Sequence, residues 1–234
     1  MTIQEKEQIC SIAAMLLAPP DAMLVDDLEQ EGFRHLLAKC FFKWGRDSEM
    51  VSPFIRGLDR DSFLGSLQDE YERLFTDMDG VRISLVESTY KPWTLDKDCG
   101  VVFASSKGLV MGDWAAHILD IYERMSMEIP EGFRSTPDHL VLELEFLALL
   151  YETASQEWVS KFIEDHLDWI PELKKEMEKA GPSPFYSNAV EFVQLFLEHE
   201  TSDGKVNDHG KKRICSVSYT HLRAHETVLD LVCR

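Results

Sequence analysis

The feature that most constrains the fold is the spacing of the apolar residues, which recur at three- and four-residue steps along most of the chain. Between residues 5 and 18 this spacing is clear, and Pro19 and Pro20 end it. Residues spaced in this way lie on one face of an α-helix and can pack into a core. No run of alternating β-branched residues bounded by hairpin turns occurs, and no internal repeat is found. The sequence therefore predicts an all-α fold, a single helical domain of about eight to ten helices.

The same spacing predicts where several of these helices begin. A second helix is expected to start at the capping residue Asp21 and to continue across Gly32 toward Phe42, and a third is expected to start at the capping residue Asp61. Helical spacing returns from Trp114, and Pro130 with Gly132 closes that element. Three later helices are expected at residues 138–151, 155–169 and 184–199.

A long irregular connection separates the early helices from the later ones. The periodicity fails between Asp77 and Gly108, where glycine, proline and polar residues are frequent. Structureless connections of this length are uncommon in compact domains and are often functional. This loop is therefore a candidate location for a binding site.

Composition restricts the classes of partner. The chain has 234 residues with 42 acidic and 24 basic side chains, a net charge of -18. Such a charge repels nucleic acid and anionic lipid, so basic or apolar partners are favoured. The alternative is that the acidic excess only keeps the protein in solution.

The amino-terminal segment does not resemble a secretory signal. Glu5, Lys6 and Glu7 stand where such a signal has net positive charge before an apolar stretch, and the apolar run at residues 12–18 is too short to span a bilayer. The sequence therefore predicts a cytoplasmic protein.

Motifs of catalysis and of metal or cofactor binding are missing from the sequence. It contains no G-x-x-x-x-G-K-[ST], G-x-G-x-x-G, H-E-x-x-H or G-x-S-x-G. None of the eight histidines follows a glutamate by three residues, as in di-iron bundles, and the five cysteines form no C-x-x-C pair. We therefore expect no catalytic residues, no metal site and no cofactor of the protein's own.

The stretch from Ser135 to Leu147 is the most informative part of the sequence. Thr136 can cap a helix, Pro137 suits the first helical position, and Asp138 complements the positive end of the helix. On this structural reading His139 has no special role, and Glu143 and Glu145 are solvated positions.

The same stretch, P-D-H-L-x-x-E-L-E-F at residues 137–146, resembles the hallmark of the TorD/DmsD/NarJ redox-enzyme maturation chaperones. Three further stretches match the family in order: E-Y-E-R-L-F at 70–75, E-S-T-Y at 87–90, and H-L-D-W at 166–169 with S-P-F-Y at 183–186. The resemblance covers roughly residues 5–199. Thr89 departs from the valine that many members have.

The resemblance implies a chaperone that binds the leader peptide, often a twin-arginine signal, or the apo catalytic subunit of a molybdopterin-containing oxidoreductase until its cofactor is inserted. Consecutive arginines favour carboxylates, and the apolar part of a leader favours a groove of aromatic and aliphatic side chains. Carried over by motif position, the peptide-binding candidates are Tyr71, Leu74, Phe75, Glu87, Ser88, Tyr90, Pro137, Asp138 and His139.

Alternatives remain for several of these residues. Tyr71, Leu74 and Phe75 share a helical stripe with Phe63 and Leu67, so they could simply pack in the core. Tyr90 is a stronger binding candidate because it lies in the irregular loop. His139 could act as a protonation switch near neutral pH.

The resemblance also suggests a domain organisation. Residues 1–200 are expected to form a TorD-like domain with a hinge at about 129–137, which would allow a monomer or a domain-swapped dimer. Residues 201–234 carry +2 against -20 for the preceding part. They are expected to form a disordered tail, which from Ser216 onward resembles a vector-derived translation.

Two other functions are compatible with the sequence. The same groove could belong to a helical scaffold or regulator that binds a different amphipathic segment. A nucleotide hydrolase is the weaker alternative, because the phosphate-binding motifs are missing.

Overall fold

The helical spacing corresponds to nine α-helices in the part of the chain that the computed structural model describes, residues 1–55, 59–76 and 82–207. This part contains an isolated β-bridge but no β-strand, which confirms the all-α prediction. Short 3-10 helices lie at Ser48–Phe54, Glu87–Thr89 and Glu131–Phe133, and a π-helical turn lies at Glu72–Thr76. The α-helices are α1 Ile3–Leu17, α2 Ala22–Glu29, α3 Glu31–Lys43, α4 Arg60–Tyr71, α5 Asp113–Arg124, α6 Leu140–Thr153, α7 Gln156–His166, α8 Ile170–Ala180 and α9 Pro184–Asn207.

Local side-chain chemistry explains where the first helices begin. Thr2 and Glu5 form a reciprocal capping box at the start of α1. The Asp21 carboxylate accepts a hydrogen bond from the Leu24 amide at 2.9 Å, which caps α2 as predicted. The expected single helix toward Phe42 is wrong, because Gln30 adopts an extended backbone (ψ 129°) between α2 and α3. Gly32 consequently lies in the first turn of α3.

Several predicted helix ends are shifted. The cap of α4 is Asp59, which accepts from the Ser62 amide at 3.1 Å, and not Asp61. The helix expected at 155–169 ends at His166, and α8 follows with a proline in its first turn. The last helix continues beyond His199 to Asn207.

The contacts between Cα atoms divide the chain into two compact units. The first unit contains Met1–Leu85 and Leu140–Thr201; the second contains Val86–His139, and the described residues 202–207 are grouped with it. The predicted single domain and its hinge at 129–137 stay predictions. The expectation of a disordered tail over residues 201–234 is wrong as far as Asn207, because α9 continues to that residue; the rest of that tail lies outside the described residues.

Each unit has its own buried apolar side chains. In the first unit α1 packs along α6, and α6 packs on α7. In the second unit α5 packs on the short helix Glu87–Thr89 and buries Ala115, Ile118 and Tyr122. Among the described residues, no helix combines the length and the apolar character needed to cross a membrane.

Candidate functional site

Two of the sequence motifs meet in the second unit. The backbones of Val86 and His139 form an antiparallel bridge, and the Glu87 amide donates to the Asp138 carbonyl oxygen at 3.0 Å. The Ser88 amide donates to Asp138 Oδ2 at 2.7 Å. The structure therefore brings together four of the predicted binding residues, Glu87, Ser88, Asp138 and His139.

This pairing changes the start of the helix that follows. Pro137 and Asp138 form a turn, and α6 begins at Leu140. The expectation that Thr136 caps the helix and that Pro137 occupies its first position is therefore wrong, because His139 is held in the bridge to Val86. Pro137 is buried in this turn.

Asp138 is a fully buried carboxyl group (0% exposed). Burial raises its pKa, since desolvation disfavours the charged form, while hydrogen bonding from Ser88 opposes that shift and the charge of Glu87 adds to it. Such burial is unusual for an aspartate and makes Asp138 a candidate for a functional role.

Lys91 belongs to the same cluster, although sequence reasoning did not select it. Its Nζ lies 2.6 Å from Glu87 Oε1, and the two side chains are 8% and 0% exposed. The same Nζ lies 3.9 Å from the ring centroid of Trp114 in α5, a cation–π contact. The sequence feature that could have identified Lys91 is its four-residue spacing from Glu87, which suits an ion pair. We call Glu87, Ser88, Lys91 and Asp138 the carboxylate cluster.

His139 packs against an aromatic ring in the second unit. Its ring centroid lies 5.0 Å from that of Phe133 in an edge-to-face arrangement. Burial lowers the pKa of His139 to about 4. This lowered pKa disfavours the expected protonation switch near neutral pH, which stays a prediction.

The loop that carries the carboxylate cluster is ordered by its own hydrogen bonds. Asp113, the first residue of α5, accepts from the Thr94 hydroxyl at 2.8 Å and from the Leu95 amide at 2.6 Å. A Cβ atom at Gly112 would lie 2.2 Å from the Trp93 carbonyl oxygen, so only glycine fits there. Tyr90, the binding candidate expected in this loop, is only 7% exposed. The described part of the predicted irregular connection is thus not structureless.

The remaining predicted site residues, Tyr71, Leu74 and Phe75, lie in the first unit. Leu74 and Phe75 are buried in the π-helical turn that follows α4, and Tyr71 is half-buried. The Phe75 ring centroid lies 4.9 Å from that of Tyr71 and 5.5 Å from that of Tyr186. We call Tyr71, Phe75 and Tyr186 the aromatic cluster. Burial raises the pKa of Tyr71 to about 12, so its hydroxyl stays protonated.

Hydrogen bonds connect the E-Y-E-R-L-F and S-P-F-Y motifs within the first unit. The Tyr186 hydroxyl donates to the Leu67 carbonyl oxygen at 3.0 Å. Glu70 Oε1 accepts from the Ser183 amide and from the Arg73 guanidinium, both at 2.8 Å. These contacts fix the start of α9 against the end of α4.

The third motif, H-L-D-W, also has structural contacts in this unit. The Trp169 indole donates to the His166 carbonyl oxygen at 2.8 Å, and both residues are buried. Glu143, expected to be solvated, is instead fully buried, and one of its oxygens lies within 4.8 Å of a His166 ring nitrogen. Glu145 is exposed as expected.

Comparisons with known proteins extend these observations. A family model described as nitrate reductase delta subunit matches residues 47–175, more than half of the chain. The chaperone protein TorD of Vibrio cholerae serotype O1 is 25% identical over 120 residues, which are 45% of this chain and 54% of that protein. The chain thus spans about half the length of this curated relative.

Proposed function

We propose that this chain, which belongs to the nitrate reductase delta subunit family of TorD/NarJ-type chaperones, is a maturation chaperone for a molybdopterin-containing oxidoreductase. It would bind the leader peptide or the apo catalytic subunit of that enzyme in the cytoplasm. Release would follow once the cofactor has been inserted, before export or assembly. The protein would act by binding and not by catalysis.

The observation that carries this proposal is the carboxylate cluster. Two motif segments that lie about fifty residues apart in sequence are joined there by hydrogen bonds, and they bury the carboxyl groups of Glu87 and Asp138. Burying charged groups costs free energy even when they are paired, as Glu87 is with Lys91, and apolar residues in their place are often as stable or more stable. A role in recognition therefore explains these carboxylates better than stability does. Arginine is the side chain that pairs best with carboxylates, through two parallel hydrogen bonds.

The apolar part of such a leader would supply most of the affinity. Exposed ion pairs contribute only about 0.2–1 kcal/mol each, whereas burial of a large apolar side chain contributes about 1.5–3 kcal/mol. Tyr71 is the member of the aromatic cluster that is half-buried, so it is the one most open to contact. Of the three candidates in the first unit, we therefore propose Tyr71, before Leu74 or Phe75, as a contact for an apolar segment of a partner.

Affinity capture from the native host tests the proposal. The tagged chain should retain the precursor of a molybdopterin enzyme's catalytic subunit, identified by mass spectrometry. The Asp138→Asn variant should retain less of it, while Asp98→Asn, which changes an exposed carboxylate in the same unit, should retain as much as the wild type. Capture that never includes a molybdopterin enzyme, or that is the same with both variants, would contradict the proposal.

A further inference from the structure

Lys91 forms an ion pair with Glu87, a carboxylate that the proposed function assigns to a cation of the partner. Its ammonium lies 2.6 Å from Glu87 Oε1, and Glu87 is fully buried, so an incoming cation can reach this carboxylate only after Lys91 has moved. Lysine is almost never buried to this degree unless it is paired. In the free protein, the chain itself thus supplies a cation to Glu87.

The second face of the Lys91 ammonium is covered by Trp114. The Nζ lies 3.9 Å from the centre of that ring, within the range of a favourable cation–π contact. The group at this position is therefore recognised by a carboxylate on one side and by an indole on the other. Both features also suit a guanidinium, which binds a carboxylate through two hydrogen bonds and stacks on an aromatic face.

From this arrangement we infer that Lys91 is a specificity-determining residue, an internal cation that an arginine of the partner displaces from Glu87 and Trp114 but that a lysine does not. The inference rests on the proposed function, because it requires a partner with a basic segment. An incoming lysine would replace one ammonium by another and gain nothing. An incoming arginine gains a bidentate contact and better stacking, so the exchange selects arginine over lysine.

Two synthetic peptides test this inference by isothermal titration: a leader-like segment with two adjacent arginines before an apolar stretch, and the same segment with lysines in their place. The wild type should bind the arginine peptide about tenfold more tightly, the size expected from one bidentate contact. In Lys91→Arg the internal side chain is itself a guanidinium, so it contacts Glu87 and Trp114 as well as an arginine of the peptide would. This variant should lose about tenfold in affinity for the arginine peptide and should no longer discriminate between the two peptides.

Lys91→Met removes the internal competitor, so it should bind both peptides more tightly than the wild type. A residue with a purely structural role would not raise affinity when it is removed. Lys97→Met, at an exposed lysine in the same unit, is the matched control and should change neither affinity. Circular dichroism verifies that each variant folds; if Lys91→Met unfolds, Lys91→Arg, which keeps the charge, decides.

The outcomes separate the two proposals. Binding of both peptides with a preference that Lys91→Arg leaves unchanged would overturn the role of Lys91 and leave the proposed function intact. Binding of neither peptide by the wild type and by all variants would overturn leader recognition and, with it, the exchange at Glu87.

Discussion

In the first unit the motif residues Leu74 and Phe75 are buried with aromatic rings, whereas in the second unit the motif residues Glu87 and Asp138 are buried as carboxyl groups. Apolar burial stabilises a fold by itself, so the aromatic cluster needs no function to explain it. Burial of carboxylates costs free energy, and replacing a buried ion pair by apolar residues is often neutral or stabilising. This difference is why we propose the second unit, and not the aromatic cluster, as the place where a basic partner is recognised.

The largest expected effect concerns the buried ion pair. Glu87→Gln should lower the free energy of unfolding by about 3–5 kcal/mol, because it leaves the Lys91 ammonium buried without its carboxylate. Glu87→Gln combined with Lys91→Met should recover most of that loss, since both charges are removed together. Urea denaturation of the two single variants and the double variant measures the coupling.

The more exposed pair Lys161–Asp165 provides the control, because it has the same four-residue spacing but side chains that are 50% and 19% exposed. Asp165→Asn should cost less than about 1 kcal/mol. Equal losses for Glu87→Gln and Asp165→Asn would show that burial of the first pair is not maintained in solution.

The next largest effect on stability is expected in the first unit, which contains the aromatic cluster. Leu74 is fully buried, so Leu74→Ala should lower the free energy of unfolding by about 2–5 kcal/mol through lost transfer energy and the cavity that remains. Thermal and urea denaturation measure the loss. Thr76→Ala, at an exposed position of the same π-helical turn, should change stability by less than about 0.5 kcal/mol.

A stability change within about 0.5 kcal/mol for Leu74→Ala would mean that Leu74 is not packed in solution. In that case the residue would be accessible, and a direct contact with a partner would become the better explanation of its motif.

A smaller effect is expected from His139. Its pKa in the folded state, about 4, lies below the ordinary value of 6.5, so the unfolded chain binds the proton more readily between these two values. The unfolding free energy should therefore be highest above about pH 6.5 and should fall by about 3 kcal/mol as the pH drops toward 4. His139→Gln should flatten this part of the pH profile of unfolding free energy; an unchanged profile would assign the titration to other groups.

The smallest expected effect on stability is that of Asp138→Asn. Burial raises the pKa of Asp138 in the folded state, so the ionised form is disfavoured there and its contribution to stability falls as the pH rises through that range. At pH 7 the asparagine variant should be at least as stable as the wild type. A clear loss of stability would show that the Asp138 carboxylate is structural.

The periodicity of apolar residues was sufficient to predict the fold class and most of the helices, because the spacing that places apolar side chains on one helical face can be read from neighbouring residues alone. It failed at Gln30, where the backbone breaks between two helices that share one apolar pattern. It also failed at Pro137 and Asp138, where good helix-start residues are held in a turn by the bridge between Val86 and His139.

The candidate site was predictable only where motifs marked it. The resemblance selected Ser88 and Asp138 as candidates, and the structure shows them joined by a hydrogen bond. Lys91 was missed, because a lysine next to a motif is ordinarily read as a solvated residue. The burial of Glu143 was missed for the same reason. Burial of a charge depends on residues distant in sequence, and no local pattern reports it.

The most direct test of the central claim is a calorimetric titration of the leader-like peptide with two adjacent arginines into the wild type and into Asp138→Asn, accompanied by urea denaturation of both proteins. A charge-assisted hydrogen bond contributes about 1.5–3 kcal/mol, so the variant should bind at least about tenfold more weakly while its stability does not fall. Asp98→Asn should bind the leader as the wild type does. If Asp138→Asn binds the leader-like peptide with wild-type affinity, the carboxylate cluster is not a recognition site of this protein.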